Sequence, residues 1–199
     1  MSEADKNIRF DHQIIIQWVE KGARVLDLGC GDGVLLELLI KNRGCHGTGV
    51  EIDEKAIYRC MEKGLTVSHI DIDTGLADYS NKRFDYVILN ESLQEVLQPR
   101  KVILEALRVG KKVIVGIPNF CHVRARLQIF FQGRVPVTKK LPYEWYDTPN
   151  LRFLSLKDFR YFCKNNGINI LDEVGISDSK RVDFRLNLFA HTGLYLLEK

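Results

Sequence analysis

One carboxylate and three alternating glycines stand together in the stretch VLDLGCGDG, residues 25–33. The apolar residues around Asp27 predict a buried strand, the chain then turns at Gly29, Gly31 and Gly33, and the apolar residues that follow predict a helix. Glycine tolerates positive φ and allows another molecule to approach the backbone closely. A strand that turns into a helix in this way points free N–H groups and the positive helix end at one spot. We therefore predict the first β-turn-α unit of a nucleotide-type crevice, at the carboxyl edge of a parallel sheet.

The spacing of these residues distinguishes between possible ligands. The dinucleotide fingerprint is G-x-G-x-x-G, whereas this turn has G-x-G-x-G, and Val34 stands where the third glycine would be. The charge of Asp27 would repel a pyrophosphate, and no Lys-Ser or Lys-Thr follows the glycines as it does in a P-loop. A carboxylate at this position suits a ligand that carries a cationic amine. The alternative is a tight turn in some other α/β protein.

A second acidic residue, Glu51, follows the predicted second strand about 20 positions after the glycines, the separation expected for a group that binds ribose hydroxyls. A carboxylate accepts two hydroxyl hydrogen bonds at once, and charged acceptors make the stronger ones. Asp53 is the alternative ribose ligand, but its position suits the N-cap of the next predicted helix. We therefore prefer Glu51.

The polar residues at the ends of the fourth and fifth predicted strands are candidates for contact with the substrate. Strand four lies beside strand one across the switch point of such a sheet, so its end faces the ligand. The amide of Asn90 could therefore contact a bound ligand or the molecule that reacts with it. Asn119 and His122 follow strand five and are candidate catalytic groups, since the pKa of histidine suits a general base. A histidine at the start of a helix is equally often a cap or a surface residue. Further candidates for the base are Glu91 and Glu95.

The pattern D-x-G-x-G-x-G resembles motif I of class I S-adenosylmethionine-dependent methyltransferases, in which the glycine turn lies against the methionine part of the cofactor. The resemblance implies that Asp71, after strand three, accepts from the adenine amino group and that Ile72 packs on the ring. The start of an Asp-rich loop would look the same. The resemblance implies S-adenosylmethionine or S-adenosylhomocysteine as cofactor. The predicted cofactor-binding residues are Asp27, Gly29, Cys30, Gly31, Gly33, Glu51, Ile52, Asp71, Ile72 and Asn90.

The composition is that of an ordinary globular chain, for which we expect one domain over residues 1–199. The 199 residues are 45% hydrophobic and 28% charged, which excludes a disordered or membrane-embedded chain. No apolar run approaches the ~20 residues of a transmembrane helix, and the start MSEADKNIRFDH is too polar for a signal peptide. Five scattered cysteines without a C-x-x-C pair argue against disulfides or a metal site and favour a reducing cytoplasm.

Strands and helices alternate between residues 25 and 118, which is typical of a parallel, doubly wound α/β sheet. The predicted strands are 25–28, 45–52, 65–70, 84–89, 113–117, 168–174 and 193–198. The predicted helices are 11–21, 35–42, 54–63, 99–107, 122–131 and 156–165, the last opened by a capping box at Ser155. The methyltransferase resemblance implies a mostly parallel, seven-stranded, Rossmann-like sheet whose antiparallel last strand lies at the edge. The first helix is expected to cover the cofactor mouth, where Phe10 and His12 either take part or pack ordinarily.

Residues 119–153 do not fit this alternation and form a predicted inserted segment after strand five. A long irregular loop in a compact domain is usually functional. The segment combines Tyr143, Trp145 and Tyr146 with several Arg and Lys residues, a mixture that protein interfaces favour. It would equally suit a pocket for an anionic small molecule, or a lid that merely packs on the sheet. RNA is a weaker alternative, since the net charge is only +3 and no RNA-binding module is present.

Nearly the whole chain resembles the methionine biosynthesis protein MetW family. The resemblance is most specific in VLDLGCGDG, in NESLQEVLQPRKVILEALRVGKKVIVGIPNF, and in GRVPVTKKLPYEWYDTPNLRF, which is unlike generic methyltransferases. It implies a methyltransferase-like fold and a cytoplasmic protein of methionine biosynthesis that supports homoserine O-acetyltransferase. Two hypotheses stay open, an accessory subunit that binds the cofactor and an active methyltransferase with an unidentified acceptor.

Overall fold

Five parallel strands form the half of the sheet that carries the predicted cofactor site. They belong to a computed structural model that describes residues 8–138 and 141–199. The strands are β1 (Arg24–Leu28), β2 (His46–Glu51), β3 (Val67–His69), β4 (Phe84–Asn90), β5 (Gly110–Pro118), β6 (Asn169–Ser177), β7 (Lys180–Val182) and β8 (Thr192–Glu198). Their order across the sheet is β3-β2-β1-β4-β5-β8-β6-β7. The chain reverses direction across the sheet between β1 and β4, which is the switch point where such folds bind ligands.

The antiparallel part of the sheet differs from the prediction in two ways. The described residues form eight strands instead of seven, and β8 lies inside the sheet, antiparallel to both β5 and β6, while β7 forms the edge. The physical reason is the burial of β8, in which Leu194, Tyr195 and Leu197 have no exposed surface. A strand so apolar needs neighbours on both sides. The predicted doubly wound, mostly parallel α/β sheet with an antiparallel last strand is confirmed.

Helices cover both faces of the sheet. They are α1 (Phe10–Trp18), α2 (Val34–Arg43), α3 (Glu54–Glu62), α4 (Pro99–Val109), α5 (Val123–Gln132), α6 (Leu156–Asn165) and α7 (Leu186–Phe189), with a short 3-10 helix at Leu93–Glu95. None of the helices in the described part of the chain is long and apolar enough to cross a membrane. The first helix ends at Trp18, three residues before the predicted end, and β7 and α7 were not predicted because segments of three and four residues show no periodicity.

Two apolar clusters, one on each face of the sheet, show which face the side chains of the central strands point to. Leu26 and Leu28 of β1 pack in the cluster that includes α4 and α6, whereas Val25 packs in the cluster that includes α1 and α2. Alternate residues of a strand point to opposite faces. Asp27 therefore shares the face of Val25 and of the first two helices. On β4 the same rule places Asn90 on the face of Ile88, which is also in the α1–α2 cluster.

The capping box of α6 provides a test of how much one local interaction stabilises this fold. The Ser155 hydroxyl accepts from the Asp158 N–H at 3.2 Å and donates to the Asp158 carboxylate at 2.7 Å. We expect Ser155→Ala to lower the free energy of unfolding by about 1–2 kcal/mol, because Ser155 is also buried. Denaturant unfolding measures the change. The control Ser80→Ala, at an exposed position, should change it by less than about 0.5 kcal/mol, and equal effects would contradict the cap's role.

Candidate functional site

Asp27 is a buried carboxylate at the carboxyl end of β1. Its side chain lies under the glycine turn, with only 3% of the residue exposed. Among the described residues no hydrogen bond to this carboxylate is found. Burial, with a smaller contribution from the charge of Glu51, raises the pKa of Asp27 to about 7. A carboxylate in this state would gain a great deal from a cationic partner.

The glycine turn has positive φ at each of its three glycines. A Cβ on Gly33 would lie 2.4 Å from Leu65 Cδ1 and 2.9 Å from Cys60 Sγ, so this position has no room for a side chain. A Cβ on Gly31 would meet nothing within 4 Å. The turn thus packs tightly against α3 at one end and leaves open space above Gly31, which is the cradle that a ligand backbone or sugar could fill.

The Glu51 carboxylate organises the other side of the turn. One oxygen accepts from the Gly31 N–H at 2.8 Å, and the other accepts from the N–H groups of Ile52 at 2.8 Å and Asp53 at 3.0 Å. Asp53 itself caps α3 by accepting from the Lys55 N–H at 3.1 Å, as its sequence position predicts. The two acids therefore occupy different places, and only the Glu51 carboxylate is bonded to the glycine turn.

The residues predicted to surround adenine lie at the ends of β2 and β3. Ile52 is 60% exposed next to Glu51, which is unusual for an isoleucine beside a buried sheet. Asp71 is exposed, and one carboxylate oxygen accepts from the Asp73 N–H at 2.8 Å in a local turn. Ile72 is half-buried against the apolar cluster. The exposed Ile52 offers an apolar surface for a planar ring beside the carboxylate of Glu51.

A polar network that sequence reasoning missed joins α1 to the end of β4. Asn90 donates from Nδ2 to the Asp11 carboxylate at 2.9 Å, and the Arg9 guanidinium bonds both Asp11 and Glu91 at 2.6 Å. The hydrogen bonds with Arg9 and Asn90 outweigh the cost of burial and lower the pKa of Asp11. Glu91 has φ +61, a strained value for a non-glycine residue. The one available signal was an acid, Asp11, on the apolar face of a short helix.

Three buried polar atoms near this network have no hydrogen-bond partner among the described residues. They are His12 Nδ1, Asn90 Oδ1 and Gln94 Oε1. Burial lowers the pKa of His12, although the charge of Asp11 opposes the shift, so the imidazole is neutral at pH 7. Unpartnered buried polar groups are rare in native proteins, and they commonly mark a place for a ligand or water.

The crevice has a markedly acidic mouth. Besides Glu51 and Glu91 it includes Glu95, which lies on the 3-10 helix. Partial burial of the Glu95 carboxyl raises its pKa, and the negative charges of Glu51 and Glu91 raise it further. Such a mouth favours a cationic ligand over an anionic one.

Two of the predicted catalytic candidates hold the chain in place. Asn119 donates to the backbone oxygens of Ala190 and Asn187 and accepts from the Cys121 N–H, so its amide is fully engaged. His122 caps α5 by accepting from the Arg124 N–H at 3.2 Å. Its ring stacks on His191 at 3.9 Å between centroids, and burial followed by the charge of His191 lowers its pKa. Of the three candidates, only Asn90 lies at the end of β4, next to β1 at the switch point of the sheet.

The inserted segment reaches back to this crevice. The N–H groups of Leu151 and Arg152 donate to the Gln94 carbonyl at 2.9 and 3.2 Å. The Gln94 side chain in turn donates to the Glu91 carbonyl at 2.6 Å. The end of the segment is therefore two hydrogen bonds away from the strained residue at the end of β4. Lys139 and Lys140, part of the predicted basic character of the segment, lie outside the described residues.

Taken together, the site can hold a cation at Asp27, hydroxyl groups at Glu51 and a flat ring near Ile52. In the described part of the chain, no group of three or more His, Cys, Asp or Glu side chains is arranged to hold a metal ion. The chemistry that this geometry supports is the binding of an amino acid joined to a nucleoside.

Comparison with known proteins identifies a family whose members this chain resembles. The model of the family "Methionine biosynthesis protein MetW" matches residues 9–197. A bifunctional methionine biosynthesis protein MetXA/MetW of Rhodopirellula baltica is 32% identical over 180 residues, which cover 86% of this chain and 29% of that protein. The chain thus spans less than a third of that relative's length.

Two further similarities concern methyltransferases. A ubiquinone biosynthesis O-methyltransferase of Aromatoleum aromaticum is 27% identical over 176 residues, covering 81% of this chain and 73% of that protein. The crystal structure of a SAM dependent methyltransferase from Archaeoglobus fulgidus has a TM-score of 0.66 at 18% identity, and the match covers 98% of this chain and 94% of that one. At this identity the structural likeness shows the fold alone. Because the family model spans almost all of the sequence, the chain belongs to the methionine biosynthesis protein MetW family and has the fold of class I S-adenosylmethionine-dependent methyltransferases.

Proposed function

We propose that this protein binds S-adenosylmethionine, or S-adenosylhomocysteine, and supports homoserine O-acetyltransferase in cytoplasmic methionine biosynthesis. The observation that carries the cofactor proposal is the Asp27 carboxylate, buried without a hydrogen bond among the described residues and placed beneath a glycine turn with open space above it. Both features are costly for folding, so their joint presence favours a ligand that satisfies them.

Each part of the cofactor has a matching group in the crevice. The α-amino group lies at Asp27 and the backbone of Gly29, Cys30, Gly31 and Gly33. The ribose hydroxyls bond to Glu51, which gives up its bond to the Gly31 N–H and keeps those to Ile52 and Asp53. The adenine ring lies on Ile52 and Ile72, and its amino group donates to the free oxygen of Asp71. The unpartnered Asn90 Oδ1 accepts from the amino-acid part.

The accessory role is supported by the state of the catalytic candidates and by one relative. Asn119 and His122 are engaged in holding the chain, so they do not offer a free base to an acceptor. The Rhodopirellula baltica relative is named a bifunctional MetXA/MetW protein, which joins two methionine biosynthesis functions in one chain. A protein fused to another in one species is a natural candidate for association with it in others. We therefore propose homoserine O-acetyltransferase as the partner of a single domain over residues 1–199.

An active methyltransferase on a small-molecule or protein acceptor is the second candidate. It is favoured by a cavity of about 200 Å³ whose mixed lining includes Arg9, Glu91, Asp178 and Thr192. His12, which is neutral and has an unpartnered Nδ1, belongs to the same corner and could accept a proton from an oxygen or nitrogen acceptor. Transfer of label from the cofactor to pathway metabolites or proteins would support this candidate. Transfer no greater than in Gly31→Arg, which fills the open space above the turn, would oppose it.

The direct test of the accessory role is a titration of purified homoserine O-acetyltransferase with this protein, with and without S-adenosylmethionine. We expect the acyltransferase activity to rise and then saturate as a complex forms. Unchanged activity, together with two separate peaks on gel filtration, would contradict the accessory role. The cofactor proposal would survive that result, since it is tested separately by binding.

The first prediction concerns the two carboxylates of the crevice. Asp27→Asn and Glu51→Gln should each weaken the binding of S-adenosylmethionine by about 10- to 100-fold, because each removes a hydrogen bond to a charged group worth about 1.5–3 kcal/mol. Isothermal titration calorimetry at pH 7.5 measures the affinity. The matched control is Asp78→Asn at an exposed position, which should bind like the wild type. Wild-type affinity in both site variants would remove these residues from the cofactor site.

The second prediction is a pH dependence of binding. The cationic amine needs an ionised Asp27, and the raised pKa of Asp27, about 7, means that this carboxyl is protonated in more acidic buffer. Affinity should therefore fall as pH decreases from 7.5 to 5.5, approaching tenfold per pH unit, a range in which an α-amino group stays protonated. In Asp27→Asn this dependence should disappear. A wild-type affinity that is flat over this range would contradict the assignment.

The third prediction follows from the same pKa in the free protein. Between about pH 4 and pH 7 the folded state keeps a proton on Asp27 that the unfolded chain has already lost, so stability decreases as pH rises. At pH 8 Asp27→Asn should accordingly be more stable than the wild type, by up to roughly 4 kcal/mol. Thermal or denaturant unfolding at pH 4 and pH 8 measures the difference. A variant that is less stable than the wild type at pH 8 would show that Asp27 is satisfied in the free protein.

A further inference from the structure

Helix α5 is almost entirely without a partner on the described chain. Of its ten residues only Ala125 is buried. Phe130 is 80% exposed and Phe131 is 76% exposed, and Leu127 and Ile129 are each about half exposed. The helix is ordered with a histidine cap at its start and Gly133 at its end. A regular helix that leaves two phenylalanines in water is unusual, and such surfaces commonly mark an interface.

The part of the inserted segment that carries Tyr143, Trp145 and Tyr146, here called the aromatic turn, lies next to the end of this helix. Arg134 and Glu144 form an ion pair at 3.7 Å, and Val135 and Trp145 line one shallow cleft. Trp145 and Tyr146 are each 70% exposed and meet edge to face at 5.7 Å between ring centroids. We call the surface formed by Leu127, Phe130, Phe131, Trp145 and Tyr146 the aromatic surface. Tryptophan and other large aromatic residues dominate the energy of protein interfaces.

The charge around the aromatic surface is basic on the side of α5, whereas Glu144 and Asp147 flank Trp145 and Tyr146 on the side of the inserted segment. Residues 119–143 contain no Asp or Glu, and their five cations are Arg124, Arg126, Arg134, Lys139 and Lys140, the two lysines lying outside the described residues. Arg124 and Arg134 are exposed. On the side of α5 the surface therefore presents apolar side chains with a basic rim, and this side fits a partner whose own apolar patch has an acidic rim.

We propose that the aromatic surface is the docking site for an acidic-rimmed patch of homoserine O-acetyltransferase. This inference rests on the proposed function for the identity of the partner, but the surface is argued from its own exposure and charge. The inserted segment leads from this surface toward the crevice, because Phe153 lines one cleft with Trp145 and the preceding residues Leu151 and Arg152 bond to the Gln94 carbonyl.

Two other occupants fit the charges less well. A symmetric dimer brings the same patch of two copies together, and the α5 helices, which carry Arg124 and Arg126 and no acid, would repel each other where they meet. A membrane with anionic lipids would attract the arginines, but Glu144 and Asp147 flank Trp145 and Tyr146 within the aromatic turn and would be repelled by the same headgroups. A protein partner with a patterned surface can accommodate both signs of charge.

The experiment uses the full chain and purified homoserine O-acetyltransferase. The double variant Phe130→Ser with Phe131→Ser and the double variant Arg124→Glu with Arg134→Glu should each weaken the complex at least tenfold, measured by biolayer interferometry. The control Phe184→Ser removes a phenylalanine that is 66% exposed between β7 and α7, and it should bind like the wild type. Unchanged calorimetric affinity for S-adenosylmethionine shows that the variants are folded.

The possible failures are distinguishable. If both double variants bind the acyltransferase as tightly as the wild type does, the aromatic surface is not the docking site. The proposed partnership would still stand. The absence of any wild-type complex would overturn the partnership and this inference together. Concentration-dependent dimers, or binding to vesicles of phosphatidylcholine with phosphatidylserine, that are lost in Phe130→Ser with Phe131→Ser would overturn the choice of partner.

Discussion

The buried carboxylate of Asp27 is the constraint on which the candidate site depends. A carboxylate without a hydrogen bond in the protein interior is expensive, and here burial raises its pKa to about 7. The glycine turn above it cannot help, because its N–H groups are directed elsewhere: Gly29 and Cys30 bond to the Val50 carbonyl and Gly31 to the Glu51 carboxylate. The free protein thus holds an acid whose natural partner is a cation from outside. The cofactor proposal is the simplest account of why the fold tolerates this acid.

Because side chains alternate along β1 and β4, the buried Asp27 also determines which other residues lie at the site. Asp27 and Asn90 share the face that α1 covers, so α1 must bring polar groups to an otherwise apolar boundary. Asp11 meets Asn90, Arg9 neutralises Asp11, and Arg9 also holds Glu91 in its strained conformation. Through Gln94 the same corner is tied to the inserted segment. The polar network therefore ends next to Phe153, which lines one cleft together with Trp145 of the aromatic surface.

The fold could be predicted largely from local patterns, and the site only in part. The glycine turn, the Asp53 cap and the capping box of α6 are interactions within a few residues, so the sequence displays them directly. The position of β8 could not be predicted locally, because it depends on pairing with β5 and β6, which are far apart in the chain. The bond between Asn90 and Asp11 spans 79 residues, and the sequence shows only an acid on the apolar face of a short helix, without its partner. Asn119 shows the reverse case. Its position after strand five suggests a catalytic role, whereas its side-chain hydrogen bond to the Ala190 carbonyl shows that it holds two parts of the chain together.

The central claim is that the corner between the glycine turn and Glu51 receives an amino acid joined to a nucleoside. A crystal structure with S-adenosylhomocysteine at saturating concentration tests it most directly. The account predicts that the amino group lies at Asp27 and that a Glu51 oxygen leaves the Gly31 N–H for the ribose hydroxyls. A crystal that contains the compound elsewhere or not at all, with Glu51 still bonded to Gly31 and Asp27 still without a partner, would contradict the account.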